Sequence, residues 1–272
     1  MLTINCFFQS RIIRLSSLSM SKIYLIRHGQ ASLGAENYDQ LSEIGRQQAA
    51  ALGEYFLDHG IQFDEIIHGQ MSRQTETAQI MARSKQFVGK LILDIGADEF
   101  DSDSLLNYYL PILAKTSEEF HQKIYSENKW FSNGRDFELI FRALIALWQQ
   151  DESCPFESWK LFRNRSLNLL NRIRKDHGTR RKIALVTSGG LISATMQAIL
   201  GFDDLTFIDM NLTINNASVT EINISGIKVG NSTERSTQDY LQEDETISAK
   251  LQCFNNISPL LIKKQPHLIT RK

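Results

Sequence analysis

The chain has 272 residues, with 30 Lys+Arg against 31 Asp+Glu, a formal net charge of −1, and 42% hydrophobic residues. It is long enough to bury a sizeable core, and 4 Pro and 15 Gly exclude a collagenous or low-complexity chain. The near-neutral balance offers no broad basic surface for nucleic acid or an anionic membrane, so a phosphate site would need a local cluster of cations.

Residues 1–19 (MLTINCFFQSRIIRLSSLS) carry Arg11 and Arg14 and no acidic residue. The apolar runs are too short for a signal-peptide core or a membrane span. Met20-Ser21-Lys22 leads straight into Ile23-Tyr24-Leu25-Ile26, so 1–19 is expected to be a dispensable leader, with a targeting role as the alternative. Residues 20–272 are expected to form a single domain. Lys22 to Ile26 predicts a buried strand that runs into Arg27-His28-Gly29. Ser42 is a plausible N-cap for a helix whose Ile44, Gln48, Leu52 and Phe56 share a face, ending near Gly60. Asp64 to His68 and Leu91 to Leu93 predict strands on either side of a helix over Met71 to Arg83. Residues 102 to 177 read as mostly helical, with Phe137, Phe141, Leu144, Ile145 and Trp148 on one face, and Trp130, Trp148 and Trp159 are expected in its core. Lys182 to Thr187 is a strongly apolar strand. Ser188-Gly189-Gly190 then opens a helix from Leu191 to Leu200, and Val219 to Ile224 and Lys250 to Phe254 complete the strands.

Strands alternating with helices predict an α/β fold, a three-layer, mostly parallel sheet with helices on both faces. The helical stretch of about 101–177 is expected to be a cap inserted on that sheet. Residues 231 to 245 are polar enough to predict a flexible surface insertion. Cys6, Cys154 and Cys253 are far apart and in no ligand-like spacing, which predicts free thiols in a reducing, cytoplasmic setting.

Functional groups of a parallel sheet collect beyond the carboxyl ends of its strands. Three segments fall there: Arg27-His28-Gly29-Gln30, Arg73 in the first turn of a helix, and Ser188-Gly189-Gly190, where a helix N-terminus favours an anion. Each signal is weak alone. Together they place an imidazole between two guanidiniums, which is costly as core and suited to a phosphoryl group.

These residues carry a family resemblance. Leu25-Ile26-Arg27-His28-Gly29 resembles the signature of the histidine phosphatase superfamily, the phosphoglycerate-mutase-like phosphatases. Leu41-Ser42-Glu43-Ile44-Gly45-Arg46-Gln47-Gln48-Ala49 is similar to its Leu-Thr-x-x-Gly-x-x-Gln-Ala segment, and Met71 to Ala78 to its second arginine motif. Asp98-Glu99-Phe100-Asp101 falls where the family keeps an acidic residue, and Glu157-Ser158-Trp159 with Arg163 or Arg165 resembles the segment before the last core strand.

The resemblance implies a phosphomonoester hydrolase with His28 as nucleophile and a phosphohistidine intermediate. Arg27 and Arg73 would hold the phosphoryl oxygens, and Glu99 would protonate the leaving group and then activate water. Gly29, Gln30, Ser188 and Gly189 would complete the phosphate site, with no metal and no cofactor. The substrate would be a small phosphorylated metabolite or a phosphoprotein; neither nucleic acid nor a membrane is an expected partner, and a homodimer is left open. Two departures stand out. Ser188 occupies the position of the family's second histidine and can donate a hydrogen bond but carries no charge; His68 is the candidate substitute, against an ordinary strand-end histidine. Gly34 stands where the mutase branch keeps an asparagine, which disfavours a phosphoglycerate mutase. The rival expectation is a catalytically impaired member that binds a phosphorylated ligand or protein without turning it over.

Overall fold

The computed structural model describes residues 20–32, 39–83, 87–125, 130–176, 181–225 and 249–271. The leader, Cys6, Gly34, His177 and the 231–245 insertion lie outside the described residues.

Strand β1 (Met20–Arg27) buries Ile23 and Leu25 on one face and Tyr24 and Ile26 on the other. A strand covered on both faces belongs in the middle of a sheet. Among the described residues that sheet has six strands. Their spatial order is β3 (Lys90–Leu93), β2 (Glu65–His68), β4 (Lys182–Thr187), β1, β5 (Val219–Ser225), β6 (Ala249–Asn256). The first four run parallel, whereas β5 is antiparallel to β1, and β6 to β5. The two late strands expected from the sequence therefore form an antiparallel flank on a parallel core.

Helices α1 (Glu43–Asp58) and α2 (Ser72–Ala82) cover one face, where Leu52, Phe56, Ala78 and Met81 meet Tyr24, Ile26, Ile66 and Val186. Leu260 of the short helix Ser258–Leu261 and Leu268 close the same cluster. The other face is covered by α3 (Ser102–Ala114), α4 (Glu118–Tyr125), α5 (Gly134–Gln150), α6 (Trp159–Asp176), α7 (Gly189–Leu200) and α8 (Asp204–Thr213). Trp148, Trp159 and Phe162 are buried there in one continuous core with Leu25, Ile183 and Leu185. The helices of the expected cap share one core with this face of the sheet. Trp130 packs against that core from its edge. Helix α8 has no counterpart in the sequence reading; it buries only Phe207 and Ile208, too few to make a stripe at helical spacing.

Candidate active site

The parallel register pairs Arg27 with Thr187 and His68 with Val186, so β1, β2 and β4 end side by side. His28, Gly69 and Ser188, the residues just past those ends, are thereby gathered at one rim of the sheet. His28 N–H donates to Thr187 O at 2.8 Å, continuing the ladder one residue beyond β1. The segment is then pinned from two sides. A Cβ on Gly29 would overlap the backbone carbonyl of Gly45, and one on Gly45 would overlap that of Gln30, so only glycines let the first turn of α1 approach this closely. Across from it, Ala217 adopts a left-handed φ of 53° and its N–H reaches Arg27 O at 3.0 Å and His28 O at 3.2 Å. Left-handed backbone outside glycine costs roughly 1 kcal/mol and persists where the surroundings impose it.

His28 is buried. Its Nδ1 lies 2.7 Å from Gly29 O, an atom that can only accept, so Nδ1 carries the proton. Nε2 is then a lone pair, and Arg73 Nε donates to it at 3.1 Å. Burial, followed by the positive charges of Arg73 and Arg27, holds the imidazole well below its ordinary pKa, so it stays neutral. Arg73 is itself oriented by Asp39, whose Oδ1 accepts from its guanidinium at 2.7 Å while Oδ2 accepts from Ser72 N–H at 2.7 Å, the N-terminal residue of α2. One turn on, Thr77 Oγ1 accepts from Gly29 N–H at 3.0 Å and donates to Arg73 O at 2.7 Å. Position 73 and position 77 share a helix face, which is how α2 grips the loop that carries His28.

Glu99 reaches the site from the loop after β3. Its Oε2 accepts from Gly190 N–H at 2.8 Å and its Oε1 from Phe100 N–H at 3.2 Å. Burial raises its pKa above the ordinary carboxylate value, against the opposing pull of the Gly190 N–H, Arg73 and Arg27. A carboxyl with a raised pKa near an imidazole with a lowered one is an arrangement suited to acid–nucleophile chemistry. The loop is held by Arg165 of α6, which donates to Asp98 O at 2.7 Å and Gly96 O at 3.2 Å, and in bidentate fashion to Glu157 at 2.7 and 2.8 Å. Of the two arginines that the sequence left open, Arg165 is therefore the one tied to the site. Arg163 lies over the Trp159 ring instead, 5.8 Å from its centroid.

The remaining predicted residues divide. Arg27 donates to Ile214 O and to Arg271 O, and its Nε lies 3.7 Å from where a Cβ of Gly189 would stand, beside the N-terminus of α7. Ser188 is the buried residue capping that helix, and its Oγ accepts from Gln74 Nε2 at 2.8 Å. Gly29 and Gln30 do not offer their N–H groups to a ligand here. The first is taken by Thr77 Oγ1 and the second by Gln48 Oε1 at 2.7 Å, so both residues position the loop. His68 turns its Nδ1 onto Gly69 O at 2.7 Å and toward Thr75 Oγ1.

Sequence reasoning missed Asp39 and Gln74. Asp39 had no visible signal, because its contact with Arg73 spans 34 positions. Gln74 directly follows an arginine already singled out, and its zero exposure is what marks it. Among the described residues no cluster of three or more His, Cys, Asp or Glu is placed to hold a metal ion, and no helix is long and apolar enough to cross a membrane.

Comparison with known proteins agrees with this architecture. Solved structures with the same fold include a phosphoglycerate mutase from Bacillus anthracis (TM-score 0.57, 19% identity, covering 91% of this chain and 98% of that one). A mycobacterial glucosyl-3-phosphoglycerate phosphatase gives a TM-score of 0.54 at 20% identity over 86% of this chain and 99% of that one. Among curated proteins, the mitochondrial serine/threonine-protein phosphatase Pgam5 of Caenorhabditis briggsae is 43% identical over 61 residues, 22% of this chain and 21% of that protein. The human protein PGAM5 is 36% identical over 75 residues, 27% and 26% of the two chains. These matches span only about a quarter of either relative. The family model for histidine phosphatase superfamily (branch 1) matches residues 23–140 and 118–230, and the chain belongs to that superfamily.

Proposed function

We propose that the protein is a phosphomonoesterase that works through a phosphohistidine on His28. The observation that carries this reading is the state of the imidazole: neutral, with its Nδ1 proton on Gly29 O and its Nε2 lone pair facing a guanidinium. A phosphoryl group that takes Arg73 Nε as its own hydrogen-bond donor uncovers that lone pair in the same movement. Nε2 then attacks phosphorus and the ester P–O bond breaks. Its electron pair leaves on the alcohol oxygen, which takes the proton of Glu99. In the second step water attacks phosphorus, Glu99 takes its proton, and the P–N bond breaks to restore the imidazole. Arg27 and Arg73 stabilise charge on the phosphoryl oxygens throughout.

The test is a single turnover with a radiolabelled aryl phosphate. An acid-labile label on the enzyme is expected, lost together with activity in His28→Ala; full activity in that variant overturns the assignment. Ser188 favours a second reading, a member that binds a phosphorylated ligand without hydrolysing it. That reading predicts phosphate-competed binding, abolished by Arg73→Ala, with no phosphate released from any ester. The similar proteins are named as phosphatases of a phosphorylated sugar acid and of phosphoproteins. Both substrate classes therefore belong in the screen.

A further inference from the structure

We propose that Thr270, acting through Gln48, is a positioning residue that keeps the ring proton of His28 on Nδ1, an inference that rests on the phosphatase reading above for its catalytic consequence. The peptide unit between Gly29 and Gln30 is where the ring is held. Its oxygen, Gly29 O, lies 2.7 Å from His28 Nδ1, and its N–H, that of Gln30, donates to Gln48 Oε1 at 2.7 Å. The unit is planar and trans, so its C=O and N–H point in opposite directions, and a grip on one aims the other. Turned over, the same peptide would offer Gln30 N–H to the ring. Nδ1 would then have to accept, and the proton would move to Nε2, the atom that must attack.

Gln48 is in turn keyed by the short turn Pro266–Leu268 and the residues that follow it. Gln48 is fully buried, and its amide nitrogen donates to Leu268 O at 2.7 Å and to Thr270 Oγ1 at 2.9 Å. A carbonyl oxygen can only accept, so the NH2 group faces this segment and the amide oxygen is turned to Gln30. Thr270 Oγ1 therefore accepts from Gln48, and its own proton goes to Asn216 Oδ1 at 2.9 Å. That leaves Asn216 Nδ2 toward His28 O, at 3.4 Å. One hydroxyl thus closes a chain of hydrogen bonds, from Gln30 through Gln48, Thr270 and Asn216 to His28, that brackets Gly29 from both sides. Valine at position 270 would leave a Gln48 N–H and the Asn216 oxygen without that partner, and the network would lose its direction.

The tautomer matters most during the reaction. In the free protein Arg73 Nε, donating to Nε2 at 3.1 Å, also disfavours a proton there. Once a phosphoryl group has taken that donor, an oxygen faces Nε2 instead, and Gly29 O is what keeps the proton away. Burial and the two guanidiniums hold the ring neutral, so the network sets the position of a single proton.

The experiment records long-range proton–nitrogen correlation spectra of the His28 ring in the full chain, with and without inorganic phosphate. The ring is assigned by the signal missing in His28→Ala. Beside the spectra, kcat/KM is measured for p-nitrophenyl phosphate and for an alkyl phosphate. The wild type should carry the proton on Nδ1 in both conditions. Thr270→Val should populate the form protonated on Nε2, most with phosphate present, and lower kcat/KM about tenfold for both esters alike. Their ratio should not change, because Glu99 is untouched. Thr270→Ser, which keeps the hydroxyl, should restore both spectrum and rate. Thr270→Ala carries the same expectations as the valine variant and replaces it if that chain does not fold. A wild-type spectrum in Thr270→Val overturns the proposal, as does a lowered Tm with unchanged rates. A rate loss that serine does not repair, or that falls on the alkyl ester alone, overturns it as well. A wild type that hydrolyses neither ester removes the phosphatase reading, and the spectra then still decide whether Thr270 sets the tautomer.

Discussion

Replacing Arg165 by Met separates the stability of the fold from the placement of the acid. The substitution keeps the packing of the side chain near the Phe162 ring, over which the guanidinium now lies at 5.0 Å from the centroid. It removes the bidentate pair with Glu157 and the bonds to Asp98 O and Gly96 O. Breaking a fully buried ion pair by deleting one partner costs about 3–5 kcal/mol. Here the two side chains keep 22% and 28% exposure, and solvent screening reduces the loss to about 2–3 kcal/mol. The loop that loses its clamp carries Glu99, and a displacement of about 1 Å at a catalytic group costs on the order of 10² in rate. That loss falls only on steps that need the acid. Urea unfolding should report the stability change, and kcat for an alkyl phosphate against kcat for p-nitrophenyl phosphate should report the acid. The alkyl ester, whose leaving group must be protonated, should lose about 10²-fold more than the nitrophenyl ester. A variant that loses the expected stability but keeps the wild-type ratio of the two esters would refute the idea that Arg165 positions Glu99.

Four further outcomes are expected. In the proposed mechanism the competent form has His28 neutral and Glu99 protonated; the pKa of His28 is held low and that of Glu99 high. Activity should therefore persist well into acid, and its alkaline limb should lie above the usual carboxylate range, as a pH–rate profile would show. The same raised pKa means that Glu99 favours folding when protonated and opposes it once ionised. Glu99→Gln should accordingly raise Tm at neutral pH and leave it unchanged at acid pH, measured by calorimetry. Gly45→Ala drives a Cβ into the carbonyl of Gln30; about 1–3 kcal/mol of stability should be lost together with most activity, and a fully active, equally stable variant contradicts the close packing described. Asp39→Asn removes the charge that orients Arg73 and should weaken inorganic phosphate binding or raise KM by about tenfold, with far-UV circular dichroism unchanged.

Local patterns carried much of this architecture. The two-sided apolar strand at Ile23 to Ile26, the cap at Ser42 and the apolar run before Thr187 reappear as β1, α1 and β4 because burial and capping are written in neighbouring residues. Helix α8 was not legible, since two buried side chains make no periodic signal. Nor was the antiparallel direction of β5 against β1 and of β6 against β5, because strand direction is set by the neighbour each strand pairs with in space and not by the pattern within it.

At the site the division is sharper. The sequence by itself determined which groups could do phosphoryl chemistry, Arg27, His28, Arg73 and Glu99, and that position 188 holds a hydroxyl where the family it resembles keeps an imidazole. Only the tertiary structure decided what state those groups are in. The tautomer of His28 follows from Gly29 O and its neutrality from burial beside two arginines. The raised pKa of Glu99 follows from desolvation, its loop is held by an arginine 66 positions away, and the polarity of Ser188 is set by an amide 114 positions away. Hydrogen-bond direction and local dielectric depend on neighbours in space, and the chain brings those neighbours together only when β1, β2 and β4 close side by side. The near-cancelling net charge of −1 could show only that no broad basic surface exists; the fold is what concentrates two guanidiniums around one neutral imidazole.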